Sequence, residues 1–417
     1  MIKHHLIYCT PFVEWEFDLD RAEGSSLWTK DGRKLLDFTS GWNTTNLGWN
    51  HPEVAEAMMA QIRKNCFSAM WMAEDAQQEY AAMLTAALPA GRAAVGRATG
   101  GTEANEMAIK AARTFTGRKQ IVGFLETYHG QSAGTLQIGF PAAYIQDVVT
   151  PGPDFLQVRY PQTYRTDRSP DQVLEEFAGQ LEKVLATRQI AAVITEAGIV
   201  TGWGSAYVAP PGYLSLVRKL TRQYGTLMIL DEVGTGFSRC GRLFGSEVAG
   251  LTPDIVTLPK TMTNGGSAMG ALVTREEIGQ VAADKGLFVS TFGWTPVACA
   301  AAVQTLRIHQ REKIWEKARQ DGDYIVGRLK QELGGHPPVG DIRGIGMEIG
   351  IDLVKDPRTK EKDTERKMKV IEQAFMKGLH LAGDAESTIQ LMPPLTIDRK
   401  SLDEGLDILI ACIKSAA

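Results

Sequence analysis

Residues 227–237 read Leu-Met-Ile-Leu-Asp-Glu-Val-Gly-Thr-Gly-Phe, an apolar run that ends on an acid and continues into a turn with two glycines. The run has no polar face, which indicates a strand that is buried on both sides. Strands of this kind form parallel sheets that helices cover on both faces. The stretch therefore predicts the inner part of an α/β domain, with Asp231 at the carboxyl end of a buried strand.

Further short runs along the middle of the chain share this apolar character and are predicted to be strands, at 95–98, 121–125, 191–195 and 255–258. Helical patterns lie between them, at 104–115, 171–186 and 212–224. The alternation of strand and helix predicts a doubly wound α/β domain. We place this large domain at residues 51–310.

The C-terminal part of the chain has a different pattern. Amphipathic helices and a pair of strands are predicted there, the helices at 314–333, 365–377 and 401–414 and the strands within 341–354. We expect residues 15–38 to pack onto these elements. The second, smaller α+β domain is therefore predicted to combine both chain ends, residues 1–50 and 311–417.

Composition excludes several classes of function. The 417 residues contain 45 Lys and Arg against 49 Asp and Glu, and this balance favours neither nucleic acid nor an anionic membrane as partner. The five cysteines are scattered and never form a CxxC pair, so we expect no metal site and a reducing, cytoplasmic location. No apolar run reaches the ~18 residues of a membrane span, and the start does not resemble a signal peptide.

Residues 99–105, Thr-Gly-Gly-Thr-Glu-Ala-Asn, connect the first strand of the predicted sheet to a helix. Ligands of open α/β sheets bind at the carboxyl ends of the strands. Two glycines let backbone amides approach a ligand closely, and the positive end of the helix dipole attracts anions. Gly101 and Thr102 are therefore candidates for a phosphate site, although an ordinary capped turn has the same pattern.

Other strand ends carry further candidates. Tyr128 and His129 follow the strand at 121–125, where an aromatic side chain can stack on a planar ring or simply be buried. Asp231 needs a partner such as a protonated ring nitrogen if it is buried, and none if it lies in an exposed turn. Lys260 follows an apolar strand, where desolvation lowers the pKa of an amine and makes it a Schiff-base nucleophile, although a structural lysine is the alternative.

Together these residues describe a cofactor with a phosphate, an aldehyde and a ring nitrogen that must be kept protonated. Pyridoxal 5'-phosphate (PLP) combines these groups and acts as an electron sink. The sequence thus predicts PLP as cofactor, with Lys260 as its attachment point and Asp231 as the partner of its ring nitrogen.

Several motifs along nearly the whole chain resemble the class III (omega) aminotransferases of the fold-type I PLP family, at 101–106, 128–130, 230–233, 235–237, 291–293 and 393–397. The resemblance implies a large domain with a mostly parallel seven-stranded sheet flanked by helices, and a small α+β domain. It also implies that Lys260 forms the internal aldimine and carries the substrate proton, and that Asp231 pairs with the pyridine nitrogen. Val233 and Tyr128 would lie on the two faces of the ring.

The resemblance assigns further residues to the cofactor. It implies that Gly101 and Thr102 hold the phosphate and that Glu196 lies near the hydroxyl side of the cofactor. It makes His129 mainly a structural neighbour of Tyr128, with a role as proton carrier as the alternative. Thr291 is similar to a family threonine that reaches the phosphate of the neighbouring subunit. A homodimer with active sites at its interface is therefore implied.

By the same resemblance the chain is expected to be an aminotransferase that uses an amine donor and a carbonyl acceptor in a ping-pong reaction through aldimine and ketimine states. Racemases, epimerases, 2,1-aminomutases and decarboxylases share the fold and need the same lysine and aspartate. A non-catalytic relative would be expected to have lost Lys260 or Asp231, and both are present. A nucleotide-binding enzyme is disfavoured because the GxGxxG and GxxxxGK[ST] spacings are absent.

The chain departs from the family pattern at two linked positions. Many members that act on amino acids carry an arginine before Pro-Pro-Leu, where it binds the substrate α-carboxylate, and the residue here is Gln390. A glutamate that pairs with this arginine in some members is replaced by Thr201. An unpaired buried carboxylate is costly, so the two residues are expected to vanish together.

Gln390 cannot bind a carboxylate in the bidentate way that arginine does. We therefore expect an acceptor aldehyde or ketone without an adjacent carboxylate, such as a precursor of an amino sugar, an aminocyclitol or a simple amine, and a gain of amino-acid turnover in Gln390→Arg. Tryptophans that can line such a pocket, or belong to the core or a dimer interface, are Trp42, Trp71 and Trp294. Candidates for a donor carboxylate, or for ordinary ion pairs, are Arg63, Arg239 and Arg242.

Overall fold

A computed structural model of the chain describes residues 2–3, 6–7, 17–88, 94–202, 205–258, 260–383 and 386–416. Its strands are β1 Ile2–Lys3, β2 Leu6–Ile7, β3 Leu19–Glu23, β4 Ser26–Thr29, β5 Lys34–Asp37, β6 Ala94–Ala98, β7 Gln120–Leu125, β8 Phe155–Arg159, β9 Ile190–Glu196, β10 Leu227–Asp231, β11 Ile255–Leu258, β12 Gly270–Thr274, β13 Val339–Ile345, β14 Glu348–Leu353, β15 Leu379–His380, β16 Ala382–Gly383 and β17 Thr388–Leu391.

Helices connect and cover these strands. They are α1 Ser40–Asn43, α2 Pro52–Lys64, α3 Asp75–Ala87, α4 Gly101–Thr116, α5 Ala133–Gly139, α6 Ala142–Ile145, α7 Pro170–Leu185, α8 Tyr213–Gln223, α9 Glu276–Asp284, α10 Pro296–Glu312, α11 Ile314–Leu333, α12 Thr364–Met376 and α13 Arg399–Ser415. Short 3₁₀ turns occur at Gly245–Glu247 and Lys260–Thr263.

The main sheet has seven strands in the order β6-β12-β11-β10-β9-β7-β8. Strand β12 is antiparallel to both of its neighbours, and the other pairs are parallel. The mostly parallel seven-stranded sheet is therefore confirmed. Strands β8 and β12 were not predicted. Strand β8 carries the polar residues Gln157 and Arg159, and β12 begins with Gly270.

The central strands are buried on both faces, as their composition predicts. All seven residues of β9 and all five of β10 are buried. Val193 packs in a cluster with residues of α7 and α8, whereas its neighbour Ile194 packs with residues of α4 on the other face. Since β7, β9, β10 and β11 are parallel, their carboxyl ends lie at one edge of the sheet.

Besides a two-stranded sheet of β1 and β2, two four-stranded sheets contain segments from the ends of the chain. One is antiparallel, in the order β13-β14-β17-β16, and the other has the order β15-β5-β4-β3. In the second sheet, Leu379 of β15 pairs in parallel with Leu36 of β5, so an N-terminal and a C-terminal segment share one sheet. This pairing supports the proposed small domain of residues 1–50 and 311–417. Trp15 lies outside the described residues.

Within the described ranges, no helix combines the length and apolar character needed to cross a membrane. The same residues contain no group of three or more His, Cys, Asp or Glu side chains able to hold a metal ion. Cys66, Cys240, Cys299 and Cys412 are unpaired, and Cys9 falls outside the described part of the chain.

Candidate active site

Polar residues from separate motifs meet at the carboxyl edge of the main sheet. Asp231, the last residue of β10, is in register with Glu196 of β9 on one side and with Thr257 of β11 on the other. Lys260 begins the 3₁₀ turn after β11, and the charges of Glu196 and Asp231 act on its amine. The sheet therefore brings together Lys260, Asp231 and Glu196.

The carboxylate of Asp231 is fixed by three neighbours and is 1% exposed. The backbone N–H of Val233 donates to Oδ1 at 2.8 Å. Asn105 Nδ2 and His129 Nδ1 contact Oδ2 at 2.8 and 2.7 Å. Buried carboxylates need hydrogen-bond partners of this kind. Their arrangement sets the orientation of Asp231, which is what pairing with a protonated ring nitrogen requires.

Asn105 is a site residue that the sequence motifs did not single out. Its Nδ2 donates to the backbone oxygen of His129 at 2.8 Å as well as to Asp231. Its Oδ1 accepts a hydrogen bond from Thr257 Oγ1 at 2.7 Å. The available signal was its spacing, because residues four apart share a helix face and Asn105 follows Gly101 by four in α4.

The amine of Lys260 lies in a desolvated position. Burial lowers the pKa of this amine, and the negative charges of Glu196, Glu348 and Asp231 oppose the effect without cancelling it. Its Nζ makes no hydrogen bond or ion pair with any residue that the structure describes. A lowered pKa increases the neutral, nucleophilic fraction of an amine.

Glu196 connects two segments beside this lysine. It is 2% exposed, and its Oε2 accepts hydrogen bonds from the backbone N–H of Thr201 at 2.7 Å and from Thr201 Oγ1 at 2.6 Å. Its Oε1 accepts from the backbone N–H of Tyr128 at 3.3 Å. The half-buried ring of Tyr128 packs edge-on against Phe140, with the ring centroids 6.0 Å apart.

The start of helix α4 is suited to an anion. Its N-cap residue, Gly100, provides no side-chain hydrogen bond, so first-turn N–H groups lack a side-chain acceptor. A Cβ at Gly101 would lie 2.9 Å from two methyl carbons of Val233, and one at Gly130 would lie 2.5 Å from Thr102 Oγ1. Gly130 also has a φ of 131°, in the region that favours glycine. The glycines thus permit close packing around Thr102.

These features fit one composite ligand. The open start of α4 can bind a phosphate, and the fixed carboxylate of Asp231 can pair with a protonated ring nitrogen. The desolvated amine of Lys260 can react with an aldehyde. A family model for class III aminotransferases matches residues 11–413 of the chain.

The chain belongs to the class III aminotransferases. It is therefore a PLP-dependent transferase of nitrogenous groups, with an amine donor and a carbonyl acceptor as substrates. When bound, PLP supplies an electron-withdrawing ring that stabilises negative charge on the reacting carbon. The open start of α4, the fixed carboxylate of Asp231 and the desolvated amine of Lys260 fit this cofactor.

Curated relatives of this class III aminotransferase have different activities. The acetylornithine aminotransferase of Methanothermobacter thermautotrophicus is 34% identical over 94% of this chain and 92% of the relative. The putrescine–pyruvate aminotransferase of Pseudomonas aeruginosa is 31% identical over 96% and 91%. The isoleucine 2-epimerase of Lentilactobacillus buchneri is 31% identical over 94% and 88%.

Solved structures confirm the fold-type I architecture of the class III aminotransferase. An (S)-enantioselective omega-transaminase from Thermomicrobium roseum superposes with a TM-score of 0.90, at 31% identity over 99% of this chain and 96% of the other. A taurine:2-oxoglutarate aminotransferase from Bifidobacterium kashiwanohense, solved with PLP and glutamate, gives 0.91 at 27% identity over 96% and 93%.

The two linked positions of the class III aminotransferase are in contact. Gln390 in β17 is fully buried, and its Nε2 donates to the backbone oxygen of Thr201 at 3.2 Å. The same Nε2 donates to Oε1 of Glu348, a residue that the motifs did not indicate. Gln390 therefore sits in a polar cluster beside the Glu196 segment.

The remaining candidates of the class III aminotransferase lie in varied places. Thr291 is exposed and follows the half-buried Ser290. Trp42 is half-buried in α1, and Trp71 is 81% exposed.

Two of the candidates occupy structural positions. Trp294 is 1% exposed, donates to the backbone oxygen of Gly270 at 2.8 Å, and packs in the core. Arg239 is fully buried and bonds to Met347, Pro393, Ser40 and Asn46, so it is a structural arginine and not a free carboxylate binder.

Proposed function

We propose that this class III aminotransferase moves an amino group by a ping-pong reaction in which Lys260 carries the proton to and from the substrate carbon. The lowered pKa of its amine and the lack of a described hydrogen-bond partner support this role. Asp231, oriented by Asn105 and His129, keeps the ring nitrogen protonated. The observation that carries the proposal is the convergence of Lys260 and Asp231 on neighbouring strand ends.

The other proposed cofactor contacts are assigned from where the residues lie in the fold. Gly101 and Thr102 hold the phosphate at the start of α4, and Val233 and Tyr128 pack on the two faces of the ring. Glu196 lies near the hydroxyl side of the cofactor. These roles are supported by the packing of Val233 against Gly101 and by the hydrogen bond that joins Tyr128 to Glu196.

For the substrate we propose an aldehyde or ketone acceptor without a carboxylate next to the reacting carbon. Gln390, at the position where many family members carry an arginine, is occupied by hydrogen bonds to Glu348 and Thr201 and offers no cationic clamp. One relative takes its name in part from putrescine, an amine that has no carboxylate. A precursor of an amino sugar, an aminocyclitol or a simple amine meets this requirement.

We also propose a homodimer. Exposed apolar side chains form a patch from two segments, Met59, Ile62, Phe67, Met70, Trp71 and Met72 in one and Val289 and Phe292 in the other. The rings of Phe67 and Phe292 lie 5.9 Å apart, which joins the segments. Large exposed apolar patches mark interaction surfaces. Thr291 lies within this patch, where it can reach a neighbouring active site.

The unpaired cysteines support a reducing, cytoplasmic location.

A second candidate is racemisation or epimerisation, because one relative with 31% identity is an isoleucine 2-epimerase. Such an enzyme would need the same lysine and aspartate. A 2,1-aminomutase would need them as well. The distinction lies in the fate of the amino group, which an aminotransferase removes from its donor and a racemase returns to the same molecule.

The experiment is to add amines to the holoenzyme without acceptor and to follow the visible absorption of the lysine-bound cofactor. L-glutamate, a simple primary amine, an amino sugar and ornithine form the panel. We expect lasting loss of the band with the amine, the amino sugar or both. Recovery of the band without acceptor would support the epimerase, and response to ornithine alone would overturn the proposed substrate class.

A further inference from the structure

Glu348 is the centre of a buried polar cluster on the same side of the molecule as Lys260. It begins β14 and is fully buried, and the charges of the two groups act on each other. Asn43 Nδ2 donates to its Oε2 at 2.7 Å, and Gln390 Nε2 donates to its Oε1. The cluster is connected through Gln390 to Thr201, which holds Glu196.

The backbone that positions Asn43 is unusual. The four residues of α1 have positive φ angles of 48°, 56°, 62° and 59°, and three of them are not glycine. Left-handed backbone at such residues is held only when its surroundings fix it, and it occurs often at functional sites. Asp37 accepts hydrogen bonds from the N–H groups of Thr39 and Ser40 at the start of this turn, both at 2.9 Å. The strained turn directs the amide of Asn43 to Glu348.

The two amides leave acceptor atoms unused. Because each presents its NH₂ group to Glu348, their oxygens point elsewhere, and both Asn43 Oδ1 and Gln390 Oε1 are buried without a hydrogen-bond partner. Unsatisfied buried acceptors are rare, and each requires an explanation. The cluster therefore contains unused acceptor atoms, and a ligand that supplies hydrogen-bond donors would satisfy them.

Glu348 also forms no direct ion pair with any residue in the described part of the chain. Arg239, whose charge acts on it, directs its terminal nitrogens to the backbone oxygens of Met347 and Pro393 and to Ser40 and Asn46. Lys260 is the other charge that acts on Glu348, and its amine is needed for the cofactor. A buried carboxyl group that has only amide donors is poorly compensated. A ligand that brings hydrogen-bond donors would complete it.

We propose that Glu348, oriented by Asn43 and Gln390, is a specificity-determining residue that binds a hydrogen-bond donor, an ammonium or a hydroxyl group, at the end of the substrate remote from the reacting amine. This inference rests on the proposed aminotransferase function. The substrate is thus a diamine or an amino alcohol, and a terminal carboxylate is repelled. An ammonium and a hydroxyl group can both donate a hydrogen bond to Glu348. Donor amines that differ in this terminal group distinguish the two.

The test uses a series of four-carbon amines that differ only in their terminal group. 1,4-Diaminobutane, 4-aminobutan-1-ol, butylamine and 4-aminobutyrate are compared as donors for the holoenzyme by kcat/KM and by the spectral half-reaction. We expect the diamine or the amino alcohol to lead, butylamine to follow and 4-aminobutyrate to come last. A leading diamine identifies an ammonium as the natural group, and a leading amino alcohol identifies a hydroxyl.

Glu348→Gln keeps the shape of the side chain and removes its charge. Because hydrogen bonds to charged groups are the stronger ones, we expect kcat/KM for the diamine to fall roughly 10- to 100-fold, mainly through KM, while that for butylamine stays within about twofold. The value for 4-aminobutyrate should rise. Glu232→Gln is the matched control, since Glu232 is also fully buried with a pKa raised by burial to about 7, but is held by the backbone amides of Gly245 and Ser246.

The control should lower thermal stability and leave the order of the four amines unchanged. An order led by 4-aminobutyrate, or an order that Glu348→Gln does not alter, would overturn the inference. Loss of the order in both variants would show a general effect of removing a buried carboxyl group and would overturn it as well. Failure of all amines to change the cofactor spectrum would instead contradict the proposed aminotransferase function.

Discussion

Asn105 connects three elements of the cofactor site through a single amide. It donates to Asp231 and to the backbone of His129, and it accepts from Thr257. Asn105→Ala leaves the buried carboxylate of Asp231 with one donor fewer, and bonds to charged groups contribute about 1.5–3 kcal/mol. We therefore expect cofactor affinity to fall at least about tenfold, measured by the rate and extent of PLP release on dilution.

Thr257→Val is the control for this change, because it removes the bond to Asn105 Oδ1 and preserves the contact between Asn105 and Asp231. Its cofactor affinity should stay within about twofold of the parent protein. Equal loss in both variants would mean that the strand ends as a whole, and not the orientation of Asp231, determine retention.

Glu348 changes the outcome expected for Gln390→Arg. An arginine at this buried position would lie beside Glu348, where a bidentate pair would neutralise the guanidinium. We expect the single variant to gain little turnover of L-glutamate, within about twofold. In Gln390→Arg/Glu348→Gln the guanidinium is free to bind the substrate carboxylate, and kcat/KM should rise about tenfold or more over Glu348→Gln alone. A large gain in the single variant would contradict the pairing.

Sequence predicted Lys260 and Asp231 because each follows or ends an apolar run, and strand ends of a parallel sheet meet at one edge. Glu196 was expected only from the resemblance to the family. It did not predict Asn43 or Glu348, which are 305 residues apart along the chain and meet only in the folded molecule. Neither belongs to a motif, and a strained turn leaves no compositional pattern. Contacts of this kind depend on how the small sheets pack onto the large one.

Helix α4 shows how a boundary follows from chemistry. Its apolar spacing predicted a start at residue 104, but the helix begins at Gly101 because two glycines replace a side-chain cap and leave the first turn open. The bounds of strands β7, β9 and β10, in contrast, were predicted to within one residue. Helix α11 was predicted at its observed bounds, since its amphipathic pattern is long and regular.

The packing at this helix start can be tested with neighbouring glycines. In Gly101→Ala the new Cβ lies 2.9 Å from two methyl carbons of Val233, whose branched side chain adjusts poorly. We expect a loss of roughly 1–3 kcal/mol in the free energy of unfolding of the apoprotein. Gly100→Ala meets nothing within 4 Å and should stay within about 0.5 kcal/mol.

Val233→Ala added to Gly101→Ala removes the crowded methyl groups and should restore part of the lost stability. Thermal and denaturant unfolding of the parent protein, Gly101→Ala, Gly100→Ala and Gly101→Ala/Val233→Ala provide the measurement. If Gly100→Ala is as destabilising as Gly101→Ala, crowding against Val233 is not the cause.

At the level of the whole chain, alternation of strand and helix predicted the class of fold but not the order of the strands. The insertion of antiparallel β12 between β6 and β11 follows from the path of the chain after Lys260, which no local pattern specifies. The sharing of one sheet by β5 and β15 is likewise a long-range pairing. The order and pairing of these strands depend on packing between segments that are hundreds of residues apart, and local composition does not predict them.

The apolar patch around Thr291 predicts the assembly. Trp71 is 81% and Phe292 63% exposed, and buried aromatic residues at interfaces contribute about 2 kcal/mol or more each. Trp71→Ser/Phe292→Ser should therefore weaken a dimer by about 1,000-fold, so that sedimentation at micromolar concentration shows single chains. Activity should fall with the dimer, because Thr291 would no longer reach the neighbouring active site. Met376→Ser, which removes a side chain that is 71% exposed on α12, should leave the dimer and its activity intact. A parent protein that sediments as single chains, or a double variant that remains dimeric, would contradict the assignment of this patch to the dimer interface.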